Sequence, residues 1–314
     1  MKRKTIIALL LICTTYGFAQ TGGSAGSFSR LGFGARGMGM GNAMTAVSSG
    51  DVSTYYNPAL SAFSGQRTAA ATFGILSLDR YLNFLSYTQS INAQAGISAG
   101  LINSGVRKID GRDGDGVHTE DYSTTENQFY LNFSNRVDPS VSIGVTIKLL
   151  YSKLFEDVKS TTVGFDVGAY VQATDQLSIG VMLQDINSKY KWDTKSIYEQ
   201  SGKSTEDKFP MLRRIGLAYK LLENSAIVSL EFENTSEKTN SLRFGAEYSF
   251  MENFTVRGGL DRWVFGDNTA GAKPSFGFTA KNSFNGWTPT INYAFVIEPF
   301  SPHGMHIITV SANF

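Results

Sequence analysis

The sequence predicts an all-β protein: a 14-stranded antiparallel transmembrane β-barrel with a short N-terminal hatch or plug segment. Three observations predict it. Fourteen segments alternate apolar with polar or small side chains, as barrel strands do. The last ten residues continue this alternation and stop on Phe314, the ending typical of a final barrel strand. No run of about 18 apolar residues follows the first twenty, so a membrane could be crossed only by strands.

The N-terminus predicts export. Lys2, Arg3 and Lys4 precede an apolar run at 5–13, and Ala19 ends a stretch of small residues suited to signal peptidase. We therefore expect a signal peptide at 1–19, a hatch segment at 20–66 and the barrel at 67–314. Cys13 is the single cysteine and would leave with the signal peptide, so the mature chain should hold no disulfide or cysteine metal site.

The strands are expected where the alternation is clearest. The predicted ranges are 67–74, 81–90, 93–103, 128–137, 141–155, 161–173, 177–192, 211–222, 225–234, 240–251, 254–262, 273–283, 288–299 and 305–314. Every second connection is tight and carries turn residues such as Asp138-Pro139 and Asn285-Gly286. The long connections at 104–127, 193–210 and 263–272 alternate with these tight turns and therefore lie at the opposite end of the strands. This arrangement predicts that they lie outside the cell and that both termini are periplasmic.

One face of the middle strands carries charges of both signs. The parity of the alternation places these side chains in the lumen, where a cross-strand charge network would fill the barrel. The predicted network comprises Arg214, Lys220, Glu231, Glu233, Arg243, Glu247, Arg257 and Asp261, with Lys148 and Asp166 on earlier strands. Trp192, Trp263, Trp287 and Tyr190 are expected near strand ends, in the interfacial belts.

The segment before the first strand carries a specific motif. It contains Gly34-Ala35-Arg36, then Met40-Gly41-Asn42-Ala43 and finally Tyr55-Tyr56-Asn57-Pro58-Ala59. In order and spacing it resembles the N-terminal hatch of the PorV/PorQ branch of the FadL-like barrels. The residues that carry the resemblance are Gly34, Ala35, Arg36, Met40, Gly41, Asn57, Pro58 and Ala59.

The resemblance implies a cell outer-membrane protein that serves type IX secretion as an accessory barrel. Such a barrel would contact outer-membrane lipid, the translocon and the C-terminal domains of cargo, by binding and not by catalysis. We expect Tyr122, Tyr190 and Trp192 in the outer loops to contact a partner, and Phe314 to be the signal that barrel-assembly machinery reads.

Three alternatives stay open. The chain could be a FadL-type transporter of a hydrophobic small molecule, with an apolar pocket beside the hatch at Phe28, Leu31, Phe33 and Met38 or Met40. The barrel could also be purely structural, or the strands could belong to a soluble secreted sandwich. A charged lumen argues against the transporter, because a hydrophobic conduit needs an apolar inward stripe.

The composition excludes other classes. Without the three leader cations, 25 Lys and Arg face 27 Asp and Glu, which leaves a net charge of −2 and no basis for nucleic-acid binding. His303 and His306 lie near the last outer hairpin without a partner motif, so no catalytic residue is assigned and an enzyme is not expected. No cofactor or metal site is predicted.

Overall fold

The computed structural model describes residues 23–49, 53–155, 158–195, 201–264 and 271–314. The predicted signal peptide at 1–19 lies outside these residues. Fourteen antiparallel strands form one closed barrel, and the first strand pairs with the last. The predicted fold class is therefore confirmed. Among the described residues, no helix is long and apolar enough to cross a membrane.

Most boundaries agree with the alternation to within a few residues. The barrel strands are β1 (Thr68–Ile75), β2 (Arg80–Ser90), β3 (Ala95–Arg112), β4 (His118–Asp138), β5 (Val141–Phe155), β6 (Val158–Gln172), β7 (Leu177–Ile186), β10 (Leu212–Leu221), β11 (Ala226–Thr235), β12 (Asn240–Met251), β13 (Phe254–Val264), β14 (Lys273–Lys281), β15 (Thr288–Val296) and β16 (Met305–Asn313). A separate two-stranded sheet consists of β8 (Lys189–Asp193) and β9 (Ser204–Lys208).

The burial pattern is inverted relative to a soluble barrel. On β11, Glu231 is 1% exposed, whereas its neighbours Leu230 and Phe232 are 39% and 37% exposed. A water-soluble sheet would bury the apolar residues and expose the carboxylates. The outward face is apolar and the inward face of this strand is charged, as a membrane barrel requires.

The two ends of the barrel differ. The turn end holds both Thr68 and Phe314. Of the predicted turns, Asp138-Pro139 begins at the last residue of β4, and Asn285-Gly286 lies between β14 and β15. At the loop end, β3 and β4 run for 18 and 21 residues, about twice the length that a spanning strand needs. The prediction of a loop at 104–127 is therefore wrong, because most of this range forms a β-hairpin that projects beyond the barrel.

The strand predicted at 177–192 is also wrong in its second half. Asp185 and Asn187 have positive φ values of 63° and 58°, and the β6–β7 register shifts between Phe165 and Val167. This bulge ends β7 at Ile186, and the chain turns into the β8–β9 hairpin, which packs against β6.

The hatch segment lies inside the barrel. Its short helical pieces are a 3₁₀ turn at Ser27–Arg30, α-helices at Gly34–Gly39 and Ser53–Tyr56, and a 3₁₀ helix at Pro58–Phe63; a further 3₁₀ turn, Leu222–Asn224, joins β10 to β11. Around the hatch, each barrel strand is hydrogen-bonded to both of its neighbours. β2 and β3 pair without interruption from Arg80–Val106 to Ser90–Gly96. The described residues show no lateral gap between these two strands.

Candidate functional site: a plugged lumen with two unlike halves

The first half of the hatch motif is fixed to β12, β13, β14 and β16. The Ala35 N–H donates to Thr309 Oγ1 at 2.8 Å, and the guanidinium of Arg36 forms an ion pair with Glu247. Gly41 has φ of 59°, and a Cβ at this position would lie 2.4 Å from the backbone nitrogen of Leu260. Only glycine can bring the hatch backbone this close to the wall. Gly34 and Met40 are likewise buried in the lumen.

The second half of the motif, Asn57-Pro58-Ala59, closes the turn end. The Asn57 side-chain oxygen accepts from the Ala59 N–H at 3.0 Å and so begins the 3₁₀ helix, while its amide donates to Thr45 O at 2.9 Å and Ala169 O at 3.0 Å. Ser61 then donates to Asn132 on β4 at 2.6 Å. The structure thus brings all eight motif residues into the lumen.

The predicted charge network is centred on Arg243. Its guanidinium contacts Glu231 at 2.6 Å, Glu233 at 2.9 Å and Asp261 at 2.7 Å, and Arg214 contacts Glu233 at 2.7 Å. With Arg36, Arg257 and Glu247 the set holds four guanidinium groups and four carboxylates. The charges therefore balance, which buried ions require.

The same network fixes the hatch. Glu231 accepts from the Thr45 N–H at 3.0 Å, and Asp261 accepts from the Asn42 amide at 3.0 Å. These carboxylates are occupied by structural partners, so the arrangement supports anchoring and not proton transfer or hydrolysis.

Lys148 and Asp166, two other predicted lumen charges, form a second cluster, whereas Lys220 lies apart from both clusters. Lys148 contacts Asp166 at 2.6 Å and also pairs with Asp185, which the β7 bulge turns inward. Lys220 is half-buried at the turn end, and no ion pair joins it to a described residue, so its membership of the network stays a prediction. The strict alternation of inward and outward residues did not indicate Asp185, because the bulge moves its side chain from the outward face to the lumen.

The other half of the lumen carries large apolar side chains at mid-height, although Gln128 lies between Ile102 and Leu150 in the strand register. Five side chains of β2–β5 belong to the same buried cluster as the hatch residues: Leu82, Phe84, Ile102, Tyr130 and Leu150. Phe33 of the hatch lies 4.4 Å from the Phe84 ring and 4.8 Å from the Tyr55 ring, centroid to centroid. The inward face is therefore charged on β10–β13, as predicted, and carries large apolar residues on β2–β5. The open alternative placed Phe28, Leu31, Phe33 and Met38 or Met40 beside an apolar pocket. Phe28, Phe33 and both methionines are buried in this cluster, and the partly buried Leu31 packs against it.

The β8–β9 hairpin covers the apolar half at the loop end. Tyr190 is 3% exposed, packs on Phe209 at 4.9 Å and donates to Glu126 at 2.7 Å. Trp192 is also buried and donates from Nε1 to Asp207 at 2.7 Å. The expectation that Tyr190 and Trp192 lie in the interfacial belt is wrong, because the chain reverses before them and folds inward.

Burial also governs the two hatch tyrosines. The Tyr56 hydroxyl accepts from the Phe33 N–H at 2.9 Å and donates to Asn42 Oδ1 at 2.7 Å. Loss of solvent raises the pKa of Tyr55 and of Tyr56 above the ordinary phenol value. Both phenols stay protonated and keep the hatch helices tied together.

The remaining predicted residues lie on the outer surface. Tyr122 is near the tip of the β3–β4 hairpin, where its ring lies 5.4 Å from Phe155. Phe314 stacks on Trp287 at 5.2 Å at the turn end. Trp263 and Trp287 face outward, as expected of belt residues.

Comparisons with known proteins define the class of fold. No protein-family model and no curated protein matches the sequence. The toluene transporter TbuX of Ralstonia pickettii matches at 12% identity and a TM-score of 0.64, over 90% of this chain and 98% of that one. The monoaromatic hydrocarbon channel CymD matches at 13% identity and 0.62, over 90% and 97%. A FadL homologue of Pseudomonas aeruginosa matches at 12% and 0.59, over 90% and 98%. The fold is that of FadL-type outer-membrane barrels.

Proposed function

We propose that this barrel lies in the outer membrane and admits a small apolar molecule from the loop end into the apolar half of its lumen. The observation that carries the proposal is the inward stripe of Leu82, Phe84, Ile102, Tyr130 and Leu150, because a stripe of this kind is what a hydrophobic conduit needs. The likeness to two hydrocarbon channels supports the same function.

The attachment of the hatch is asymmetric. On the side of β10–β16 the hatch is held by ion pairs and charge-assisted hydrogen bonds, through Arg36, Asn42 and Thr45. On the side of β2–β5, in the loop-end half, Phe33 and Tyr55 contact the wall by apolar packing. An apolar molecule can replace such packing with its own, at about 25 cal/mol per Å² buried, without breaking a polar contact. The proposed path is therefore this seam.

The proposed path should favour uncharged over ionised solutes. The five stripe side chains carry no formal charge, so an ionised solute would lose its hydration without a compensating partner. The Pro58–Phe63 helix closes the seam at the turn end and the β8–β9 hairpin covers it at the loop end, so passage requires both segments to move.

Uptake of labelled toluene by cells that express the barrel and lack other FadL-type channels tests the proposal. Phe84→Gln should reduce uptake at least tenfold, since it replaces the ring that packs on Phe33 with an amide, whereas Phe84→Leu should keep at least half of it. Benzoate should not enter through either form. Equal uptake by cells without the barrel, or by both variants, would contradict the proposal.

A second candidate is the accessory role in type IX secretion. Its support is the hatch motif and the projecting β3–β4 hairpin, which presents Tyr122 beyond the barrel. Gentle detergent extraction from the native membrane separates the two candidates. Co-purified proteins that share a C-terminal sorting domain would favour secretion, and a lone barrel that carries an apolar small molecule would favour the channel.

A further inference from the structure

The outward face of β2–β6 changes from apolar to polar along a sharp line. Residues paired at the same height on neighbouring strands form rows across this face. One row consists of large apolar residues, namely Leu85, Leu101, Phe129, Leu149 and Val163. The next outward row toward the loop end consists of Asn83, Asn103, Asn127, Tyr151 and Thr161. The row above that consists of Tyr81, Gly105, Thr125, Lys153 and Lys159.

The three asparagines form a ladder on the outside of the wall. The Asn103 amide donates to Asn127 Oδ1 at 2.8 Å, and the Asn83 amide lies 3.4 Å from Asn103 Oδ1. Each carboxamide has two donors and two acceptor lone pairs, so this ladder leaves hydrogen-bonding capacity on every member. Such groups suit the carbonyl and hydroxyl groups of ester and amide linkages.

Cations lie directly above the ladder. Lys153 and Lys159 are paired across β5 and β6, and the Arg107 guanidinium lies 5.1 Å from the centre of the Tyr81 ring. Like charges directly opposite each other on a sheet repel, and an anion between them removes the repulsion.

An apolar groove continues below the ladder. A depression of about 320 Å³ is lined by the three asparagines together with Phe73, Leu85 and Leu101. Leu85 and Leu101 also line a groove of about 820 Å³ that runs toward Trp287 at the turn end. Small outward side chains create this groove: Ala69, Ala71, Ala99 and Ala312.

We propose that this surface binds one phosphorylated, multiply acylated lipid of the lipid A class in the leaflet at the loop end. The order along the strands matches such a molecule: acyl chains in the alanine groove, ester or amide linkages at the asparagine ladder, and phosphate at Arg107, Lys153 and Lys159. The site requires the barrel to lie in a membrane, but it does not depend on the channel function.

Native mass spectrometry of the delipidated barrel in detergent, titrated with bisphosphorylated hexa-acylated lipid A, tests the site. We expect one lipid per barrel. The triple variant Arg107→Gln, Lys153→Gln, Lys159→Gln should weaken binding at least tenfold, because each cation near a phosphate contributes to affinity. A matched triple variant, with Lys203, Lys208 and Lys238 each changed to Gln, should bind as the unchanged protein does.

A second variant tests the groove without altering charge. Ala71→Phe places a larger apolar side chain on the outward face, which membrane insertion tolerates, and should reduce binding by filling the groove. Dephosphorylated lipid A and phosphatidylcholine should bind at least tenfold more weakly than lipid A.

Four results would overturn the proposal: equal binding by the two triple variants, unchanged binding by Ala71→Phe, displacement of lipid A by millimolar inorganic phosphate, or a barrel dimer in place of the lipid adduct. The channel test uses toluene uptake, so failure of one proposal leaves the other standing.

Discussion

Replacement of Arg243 by methionine should release the hatch before it unfolds the barrel. Arg243 is 1% exposed, and its guanidinium contacts three carboxylates at 2.6, 2.7 and 2.9 Å. After the change Glu233 keeps Arg214 at 2.7 Å, but Glu231 keeps Arg214 only at 3.7 Å, and Asp261 loses its described ion pair. Those two carboxylates are the ones that bind Thr45 and Asn42 of the hatch.

The magnitude follows from the burial. Removal of one partner from a buried ion pair costs about 3–5 kcal/mol, since a charge is left without compensation in a medium that solvates it poorly. The equilibrium for hatch docking should therefore fall by roughly a hundredfold or more. The double variant Arg243→Met, Glu231→Gln removes one charge of each sign and should recover at least half of the loss.

Urea unfolding in phospholipid vesicles measures the effect, with limited proteolysis of the hatch as a second readout. Lys220→Gln is the matched control, because Lys220 forms no ion pair with a described residue, and it should change the midpoint little. If Arg243→Met behaves like Lys220→Gln, or if the double variant is less stable than the single one, the network does not anchor the hatch.

Three further predictions concern the hatch itself. Gly41→Ala should prevent stable docking, because its Cβ would meet the Leu260 backbone at 2.4 Å, whereas Gly65→Ala, with no neighbour within 4 Å, should be neutral in the same protease assay. Asn57→Ala should destabilise docking by about 1–3 kcal/mol, since Thr45 O and Ala169 O lose a donor, and an unchanged urea midpoint would contradict this. Because burial raises the pKa of Tyr56, the stability it contributes is complete below the ordinary phenol pKa of about 10 and is lost as pH rises through its higher folded value. Hatch protection should fall above about pH 10, and less so in Tyr56→Phe.

The sequence predicted the wall well because barrel strands repeat with period two. The range 240–251 matches β12 residue for residue, and the charges of β10–β13 occupy the predicted face. There are two exceptions. The β3–β4 hairpin continues through the range predicted as a loop, and the bulge at Asp185–Asn187 has positive φ values that leave no periodic signal. Tyr190 and Trp192 alternate with lysines as a strand would, so the inward-folded hairpin resembled a continuation of β7.

The sequence contains a pattern that indicates the apolar half of the lumen, although the alternation of apolar and polar residues does not reveal it. Phe84-Leu85, Leu101-Ile102 and Leu149-Leu150 are consecutive apolar pairs, and in each pair one side chain faces inward while the other faces outward. Two consecutive apolar residues at matching heights on neighbouring strands predict a wall that is apolar on both faces. The contacts between Phe33, Tyr55 and this wall join distant parts of the chain, and spacing along the sequence does not encode them.

Passage through the lumen requires the Pro58–Phe63 helix to move, and a reversible crosslink between this helix and the wall tests that requirement. The Ser61 and Ser134 hydroxyl oxygens lie 2.6 Å apart, so cysteines at both positions in a Cys13→Ser background should form a disulfide between the Pro58–Phe63 helix and β4. The control pair replaces Ser249 and Thr255, whose hydroxyl oxygens lie 2.7 Å apart within the wall. We expect oxidation to abolish toluene uptake in the hatch pair and reduction to restore it, whereas the wall pair should transport in both states. Undiminished uptake through the oxidised hatch pair would contradict this requirement.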